Sequence, residues 1–396
     1  MENKKVKYSI ILPIYNGLEY LPSCINSIIN QDYNDYELII VDDCSTDGTR
    51  EYLDTLIHDN VRIIYQEKNV GAIGNFSDAI TYAIGDWVIF LGVDDGLQTY
   101  FFELADILTD ICKEENLRVI ASSRAHFFWG DIAKLHGGRV IQYTARKEFS
   151  ILNSKKEVLM ALIGAQAYFE LPQMYSNSLF HNSIIKEARK RQRGELFLTA
   201  PPDANLAAIA LSLEPKYLKS FIPLGWVGTS SFRTEYGGKD CDENGLIGGS
   251  ISFNLDAGKP SINSLVLFLW NALLSTSSLR SISENKLLKR KLFKLIVLSS
   301  AYSELRKKGT LVKRKDFFSS MLTRNNISLS VVSFFSYIIG AIGSYLFFQR
   351  RVVNKIKNIL MPSYQIKISN DKDVHMVEES NKIRNNILKF VIGNKK

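Results

Sequence analysis

YELIIVDDCSTDGT, residues 36–49, is the stretch on which the fold turns. Its first six residues are mostly large and apolar, and a run of that length closed by turn residues reads as a buried strand. The run stops at Asp42 and Asp43. The Ser, Thr, Asp and Gly beyond them are turn and cap formers, so a helix is expected over 46–58. The same pattern recurs on either side. YSIILP (8–13), VRIIYQ (61–66), WVIFLG (87–92) and LRVIAS (117–122) read as further strands, with helical spacing over 19–30 and 75–84. Strands separated by ~10–15-residue helices imply βαβ units and a mainly parallel, Rossmann-like sheet with helices on both faces.

The rest of the chain is less regular. Residues 143–220 read as mostly helical, and 204–213 as one apolar helix opened by Pro201 and Pro202. Residues 225–249 hold seven of the 24 glycines, which predicts a mobile loop able to close over a ligand. Two or three helices are expected over 261–330, and a polar, fraying tail from 362. The organisation expected is a ligand-binding half (1–122), a second half of the same α/β unit (123–258), a helical basic and apolar region (259–361) and the tail (362–396).

Composition excludes several classes. Of 396 residues, 46% are hydrophobic and 23% charged, which is a globular balance and not a disordered one. Cys24, Cys44, Cys112 and Cys241 have no spacing suited to a disulfide framework or a zinc site. The N-terminal apolar run is too short for a signal peptide, so the start of the chain is expected in the cytosol. Charge is uneven. Residues 280–357 carry seventeen Lys and Arg against three acids, a net +14, which leaves −6 on the rest of a chain whose total is +8. A basic rear section suits a polyanionic surface, either nucleic acid or the cytoplasmic leaflet of a membrane.

In a doubly wound sheet, ligands bind beyond the carboxyl ends of the strands. Three polar loops follow strands there: Pro13-Ile14-Tyr15-Asn16, the run Asp42 to Thr49, and Val93-Asp94-Asp95-Gly96. Together they make a carboxylate-rich edge. Adjacent acids repel unless a cation lies between them, and hard carboxylate oxygens suit Mg²⁺ or Mn²⁺, which complete their shells with phosphate and water. Asp47 equally suits a helix cap.

These motifs, in this order over residues 7–102, resemble the nucleotide-sugar domain of family 2 glycosyltransferases, an inverting family of GT-A fold. VDDCSTDGT (41–49) matches the family's VDDxSxDxT, with Cys44 where Gly or Asn is common. Val93-Asp94-Asp95 falls on the DXD element. The segment 69–75 matches an NxGxxxAxN pattern in part, with Gly74 in place of Ala. The resemblance implies that a nucleotide-sugar donor is bound by Pro13, Tyr15, Asn16, Asp42, Asp43, Asn75 and Asp94, with Asp43 on the base and Asp95 as the ligand of Mn²⁺ or Mg²⁺. It implies a general base after the DXD strand, which falls on Asp203, with Glu170 as a lesser candidate. Residues 171–177 and His181 are expected beside the acceptor, with His181 as a hydrogen-bonded structural group. Trp129, Trp226 and Arg233 are candidates to stack on sugar or grip diphosphate.

Residues 329–348 are uncharged and long enough to cross ~30 Å of hydrocarbon. Both flanks are basic, which favours an in-plane or re-entrant helix over a true span. The expectation is therefore an inverting glycosyltransferase, peripheral or monotopic on the cytoplasmic face of a bacterial inner membrane. It would move a sugar, by the resemblance from a UDP-sugar, to a lipid-linked saccharide in surface-polysaccharide synthesis. A homo-oligomer through the C-terminal helices is compatible with this; nucleic acid is not an expected partner. The rivals are a sugar-phosphate nucleotidyltransferase, and a catalytically inactive membrane-tethered binding protein of the same fold.

Overall fold

A computed structural model describes residues 6–130, 132–135, 137–230, 264–308, 315–368 and 375–392. The first stretch alternates as expected: β1 (Tyr8–Ile14), α1 (Leu21–Ile29), β2 (Tyr36–Asp42), α2 (Thr49–Asp54), β3 (Val61–Tyr65), α3 (Gly71–Ala79) and β4 (Trp87–Phe90). There follow β5 (Gly96–Leu97), α4 (Phe101–Glu114), β6 (Val119–Ser122), β7 (Ala125–Phe128), α5 (Ile132–Leu135), β8 (Ile141–Arg146), β9 (Phe149–Asn153) and α6 (Ser154–Leu162). The second half continues with β10 (Ser178–His181), α7 (Asn182–Arg191), α8 (Pro202–Leu213), β11 (Lys216–Ser220) and β12 (Gly225–Thr229). The rear carries α9 (Leu265–Ser275), α10 (Ile282–Lys289), α11 (Lys291–Lys307), α12 (Lys315–Arg324), α13 (Leu329–Leu360), β13 (Ser363–Ile368) and α14 (Met376–Ile392).

Two sheets organise these elements. The larger runs β3-β2-β1-β4-β10-β6-β11-β9 and the smaller β13-β8-β7-β12-β5. All seven residues of β1 are buried, as a central strand covered on both faces requires. Pro13 is tolerated because β4 pairs with β1 only as far as Ile11, so the missing N–H falls past that ladder. The larger sheet is mixed. β3, β2, β1 and β4 are parallel, but β10 enters antiparallel between β4 and β6, and β9 is antiparallel to β11. One core packs α3, α7, α8, α9 and α11 on one face of this sheet; the other packs α1 and α4 with the smaller sheet on the opposite face.

Three expectations are corrected. Residues 143–220 are not mostly helical, because β9, β10 and β11 lie within them. Those strands are short, and β11 reads KYLKS, whose lysines hide it from local pattern. Residues 225–229, expected in a loop, form the buried strand β12; Arg233 and the other glycines of that run lie outside the described residues. The described part of the tail, 362–368 and 375–392, is ordered into a strand and a helix. β13 pairs with β8 over six residues, and α14 buries Met376, Ile383 and Ile387 against α1 and α4. Its apolar residues are interrupted by a polar run from Glu378 to Lys382, and only packing against its neighbours selects Met376, Ile383 and Ile387 as the buried face.

Candidate active site

The first loops meet at the carboxyl edge of β1, β2 and β4. Asn16 sits at φ +53°, accepts a bond from Thr46 N–H through its Oδ1 at 2.7 Å, and donates its own N–H to Ser45 Oγ at 2.8 Å. This ties the loop after β1 to the loop after β2. Asn75, on α3, donates from Nδ2 to Val41 O at 2.9 Å and Ile14 O at 3.3 Å, so it staples the two strand ends. Its Oδ1 is buried with no hydrogen-bond partner among the described residues. Tyr15 is half-buried beside Asn16.

Asp42 departs from its expected role as a ligand contact. It is fully buried, receives Arg50 Nε at 2.6 Å and lies 3.2 Å from Ser45 N–H. It is the internal ion partner that holds the turn. Asp43 accepts from Val70 N–H at 2.7 Å and Gly71 N–H at 2.9 Å, capping α3 from a different strand. Burial raises its pKa against those two amides. Asp47 accepts from Thr49 and from Leu18 N–H; burial opposes these bonds, yet its pKa is held below the ordinary value.

The third loop is built differently. Asp95 is 2% exposed. Its Oδ2 accepts from Gly92 N–H at 2.8 Å, and its Oδ1 from Gly228 N–H at 2.9 Å, so it joins β4 to β12. Asp94 is half-buried. Its Oδ2 accepts from Ser230 at 2.7 Å, and its carbonyl from Trp129 Nε1 at 2.9 Å. A Cβ on Gly92 would stand 3.2 Å from Asp95 Oδ2, 3.3 Å from Asp94 Oδ1 and 3.5 Å from Tyr175 Cδ1. Gly92 thus leaves a cradle flanked by two carboxylates and an aromatic ring. Among the described residues no group of three His, Cys, Asp or Glu completes a cage. Two carboxylates with space between them fit a divalent ion that takes its remaining ligands from phosphate and water.

Tyr175 also neighbours a second polar group. Tyr175 and Ser176 have φ of +70° and +63°, and both amides donate to Phe90 O, the last carbonyl of β4. A bulky residue held in this region is strained, a feature concentrated at functional sites. Beyond it, Tyr168 donates to Asp203 Oδ2 at 2.8 Å, and Asp203 Oδ1 accepts from Ala204 N–H at 2.8 Å. Asp203 does not cap α8, whose N-cap is Pro201 with no side-chain bond. Burial raises its pKa, opposed by Tyr168, Ala204 N–H and the Arg124 charge.

Other candidates fall elsewhere. Trp226 is 1% exposed and packs on Phe127 and Tyr143, so it stacks on no ligand. Trp129 holds the Asp94 carbonyl and tilts against Tyr20. His181 caps α7 and stands edge-on to Trp87. Glu170 is exposed. Local pattern missed Tyr168, Gly228 and Ser230. Only the glycine run hinted at Gly228, whose Cβ would lie 1.8 Å from Asp94 O.

The motifs have relatives. Residues 9–170 match the model of glycosyl transferase family 2. Over 187 residues the chain is 30% identical to the GalNAc(5)-diNAcBac-PP-undecaprenol beta-1,3-glucosyltransferase of Campylobacter jejuni, covering 46% of this chain and 55% of that one. Over 134 residues it is 37% identical to the abequosyltransferase RfbV of Salmonella typhimurium, covering 31% of this chain and 40% of that one. The chain therefore spans only about half the length of these relatives, or less. Among solved structures, S. aureus TarS 1-349 in complex with UDP-GlcNAc superposes at TM-score 0.53 and 16% identity, covering 81% of this chain and 80% of that one. That likeness is one of fold, and it identifies the two-sheet α/β body as GT-A-like. Strand order, loop motifs and relatives agree, and through residues 9–170 the chain belongs to glycosyl transferase family 2.

Proposed function

We propose that the protein is an inverting, metal-dependent glycosyltransferase that moves a sugar from a nucleoside-diphosphate donor, a UDP-sugar first among candidates, to a hydroxyl of a lipid-linked saccharide in bacterial surface-polysaccharide assembly. One observation carries the reading: the strained Tyr175 adjoins both the Asp94–Asp95 cradle, through its Cδ1, and the Tyr168–Asp203 pair, through its effect on Tyr168. An inverting transfer needs a site for the leaving group and a base for the acceptor hydroxyl, and these two neighbouring carboxylate groups are the candidates. Pro13, Tyr15, Asn16 and Asn75 border the nucleotide, with Asp42 and Asp43 holding the loops behind them. Asp94 and Asp95 would hold Mn²⁺ or Mg²⁺, which when bound offsets charge growing on the diphosphate. Asp203 takes the proton from the acceptor hydroxyl as its oxygen bonds the anomeric carbon and the bond to the diphosphate breaks. The lipid-linked acceptor is supported by the relatives' names and by the rear of the molecule.

That rear is α13, 32 residues long. Phe334, Phe335, Tyr337, Ile338, Tyr345 and Phe348 lie exposed along it. Its other side is fastened lengthwise to the body. Gly343 packs at Ile163 O, Arg350 pairs with Glu157 at 3.1 Å, and Lys357 pairs with Glu148. A helix clamped over this length suits lying in the plane of a membrane better than crossing it. Its apolar face would enter the headgroup boundary, with Arg351 and Lys355 available to anionic lipid on the cytoplasmic side.

The test is a panel of UDP-, dTDP- and GDP-sugars assayed for slow nucleotide release with Mn²⁺ and with EDTA. Release with one donor, lost with EDTA and reduced ~10²-fold or more in Asp203→Asn at unchanged donor affinity, is the expected outcome. Parent-level release by Asp203→Asn would sink the assignment of the base.

A further inference from the structure

Asp203 opens α8 but is not held by its own helix end alone. Its Oδ2 receives the Tyr168 hydroxyl at 2.8 Å from the short 3₁₀ turn 168–170, a different element packed against α8. Tyr168 is 6% exposed, so this bond is shielded from water and worth more than its exposed equivalent. The next residue, Phe169, carries the Arg124 guanidinium over its ring at 5.0 Å. Arg124 follows β6 by two residues, at the sheet's ligand edge.

We infer that Tyr168 is a positioning residue for the Asp203 base and that Arg124, seated on Phe169, is the charge that supports the pair. This rests on the proposed role of Asp203. The hydroxyl fixes one oxygen and Ala204 N–H fixes the other, which holds the carboxylate in a single rotamer. A base held in one geometry avoids the reorganisation a free carboxylate undergoes at the moment of proton transfer. The acceptor proton passes to Asp203, the acceptor oxygen bonds the anomeric carbon, and the nucleoside diphosphate leaves with the electron pair of the broken bond. Tyr168 keeps its own proton throughout, since burial and the Asp203 carboxylate hold its pKa far above the ordinary phenol value.

The electrostatics are consistent with this support. Burial drives Asp203 toward its neutral form, while the Tyr168 bond, Ala204 N–H and Arg124 favour the carboxylate. Two further charges lie in the neighbourhood. Lys219 on β11 is buried with its ammonium on Ser122 O at 3.0 Å, and Glu170 and Arg124 both act on it. Glu170 is the exposed acid of the same 3₁₀ turn. Tyr175 also acts on Tyr168.

The experiment needs no acceptor. Carboxyl ¹³C NMR of the full chain, labelled at the Asp carboxyl carbon, follows Asp203 through its titration, the signal being assigned by its loss in Asp203→Asn. Tyr168→Phe and Arg124→Gln are each expected to move that titration to higher pH, and Arg124→Lys to restore part of the shift. Nucleotide release by Tyr168→Phe should fall about tenfold on the acid limb and recover to within about twofold on the alkaline plateau, at unchanged donor KM. An Asp203 titration that superposes on the parent in Tyr168→Phe overturns the inference. So does a loss equal at every pH that accompanies a lowered melting temperature, because that marks a packing role. If the titration moves while Asp203→Asn releases nucleotide at the parental rate, the base assignment fails and the Tyr168–Asp203 pair stands as a structural one.

Discussion

Asp94 and Asp95 are neighbours in sequence with different duties. Asp95 spends a bond from each oxygen on bridging β4 to β12, whereas Asp94 reaches the cradle over Gly92 with Oδ1. Asp95→Ala should therefore cost both fold and function. Calorimetry is expected to show donor affinity that no longer responds to Mn²⁺; equal, metal-independent affinity in mutant and parent would refute the site. Gly228→Ala tests the same junction without touching a carboxylate. Its methyl would strike the Asp94 carbonyl, so β12 must withdraw and Asp95 must lose an amide. A stability loss of about 1–3 kcal/mol with weakened donor binding is expected, read by denaturant titration. The acid limb of activity follows from Asp203. Its folded pKa is raised, so the ionised base is lost as pH falls through a midpoint above the ordinary ~3.9 of an Asp side chain. The stability sign is opposite, because keeping this carboxylate ionised costs the folded state and protonation relieves that cost. A rate–pH profile flat down to pH 4 would contradict the assignment.

At the scale of elements, the C-terminal pair β13 and α14 braces the first half of the α/β body. Met376 packs at Gly96, Ser380 Oγ receives Thr99 N–H at 2.7 Å and lies 2.8 Å from Gln98 Oε1, and Arg384 reaches Thr99 O at 3.0 Å. These contacts grip the residues just after Asp95. Deleting the chain beyond 361 removes a strand of six residues from the smaller sheet and uncovers α1 and α4. A donor-binding fragment ending near 261, attractive because every donor motif precedes Gly96, would lose this brace. The shortened protein is expected to melt several degrees lower and to bind donor more weakly, as differential scanning fluorimetry with and without UDP can show. Unchanged melting and binding would make the tail an ornament.

At the scale of the whole molecule, the exposed rings of α13 and most of the chain's excess Lys and Arg belong to one stretch of chain, 280–357. Neither a few cations nor a partly inserted helix anchors stably alone, but the two together can. Full-length protein is expected to sediment with vesicles containing anionic lipid, and high salt to release only part of it, because apolar contact persists when charge is screened. Replacing Phe334 and Phe335 with Ser, both exposed, should halve or further reduce sedimentation while leaving the melting temperature within about a degree. Protein that stays in solution with such vesicles at low salt would leave the face as a contact between copies.

The first half of the α/β body was legible because its signals are local. Apolar runs closed by turn residues repeat along 8–96, so β1, β2, β3 and β4 follow from periodicity alone, although their order β3-β2-β1-β4 in the sheet does not. Asp203, too, stands out in the sequence behind its two prolines, and its role as base is a proposal. Its partner does not stand out: Tyr168 lies 35 residues away, and no spacing rule connects a 3₁₀ turn to a helix start that only packing brings together. The same holds for Asp95 and Gly228, 133 residues apart, and for Ser380 on Thr99, 281 residues apart. Asp42 and Asp43 look equivalent in the chain, yet one meets Arg50 and the other caps α3, because alternate residues of a strand face opposite sides of the sheet. Local sequence sets which strands and turns form, since those depend on neighbouring residues. Which polar groups are left facing a ligand depends on long-range pairing, and that is a property of the packed fold.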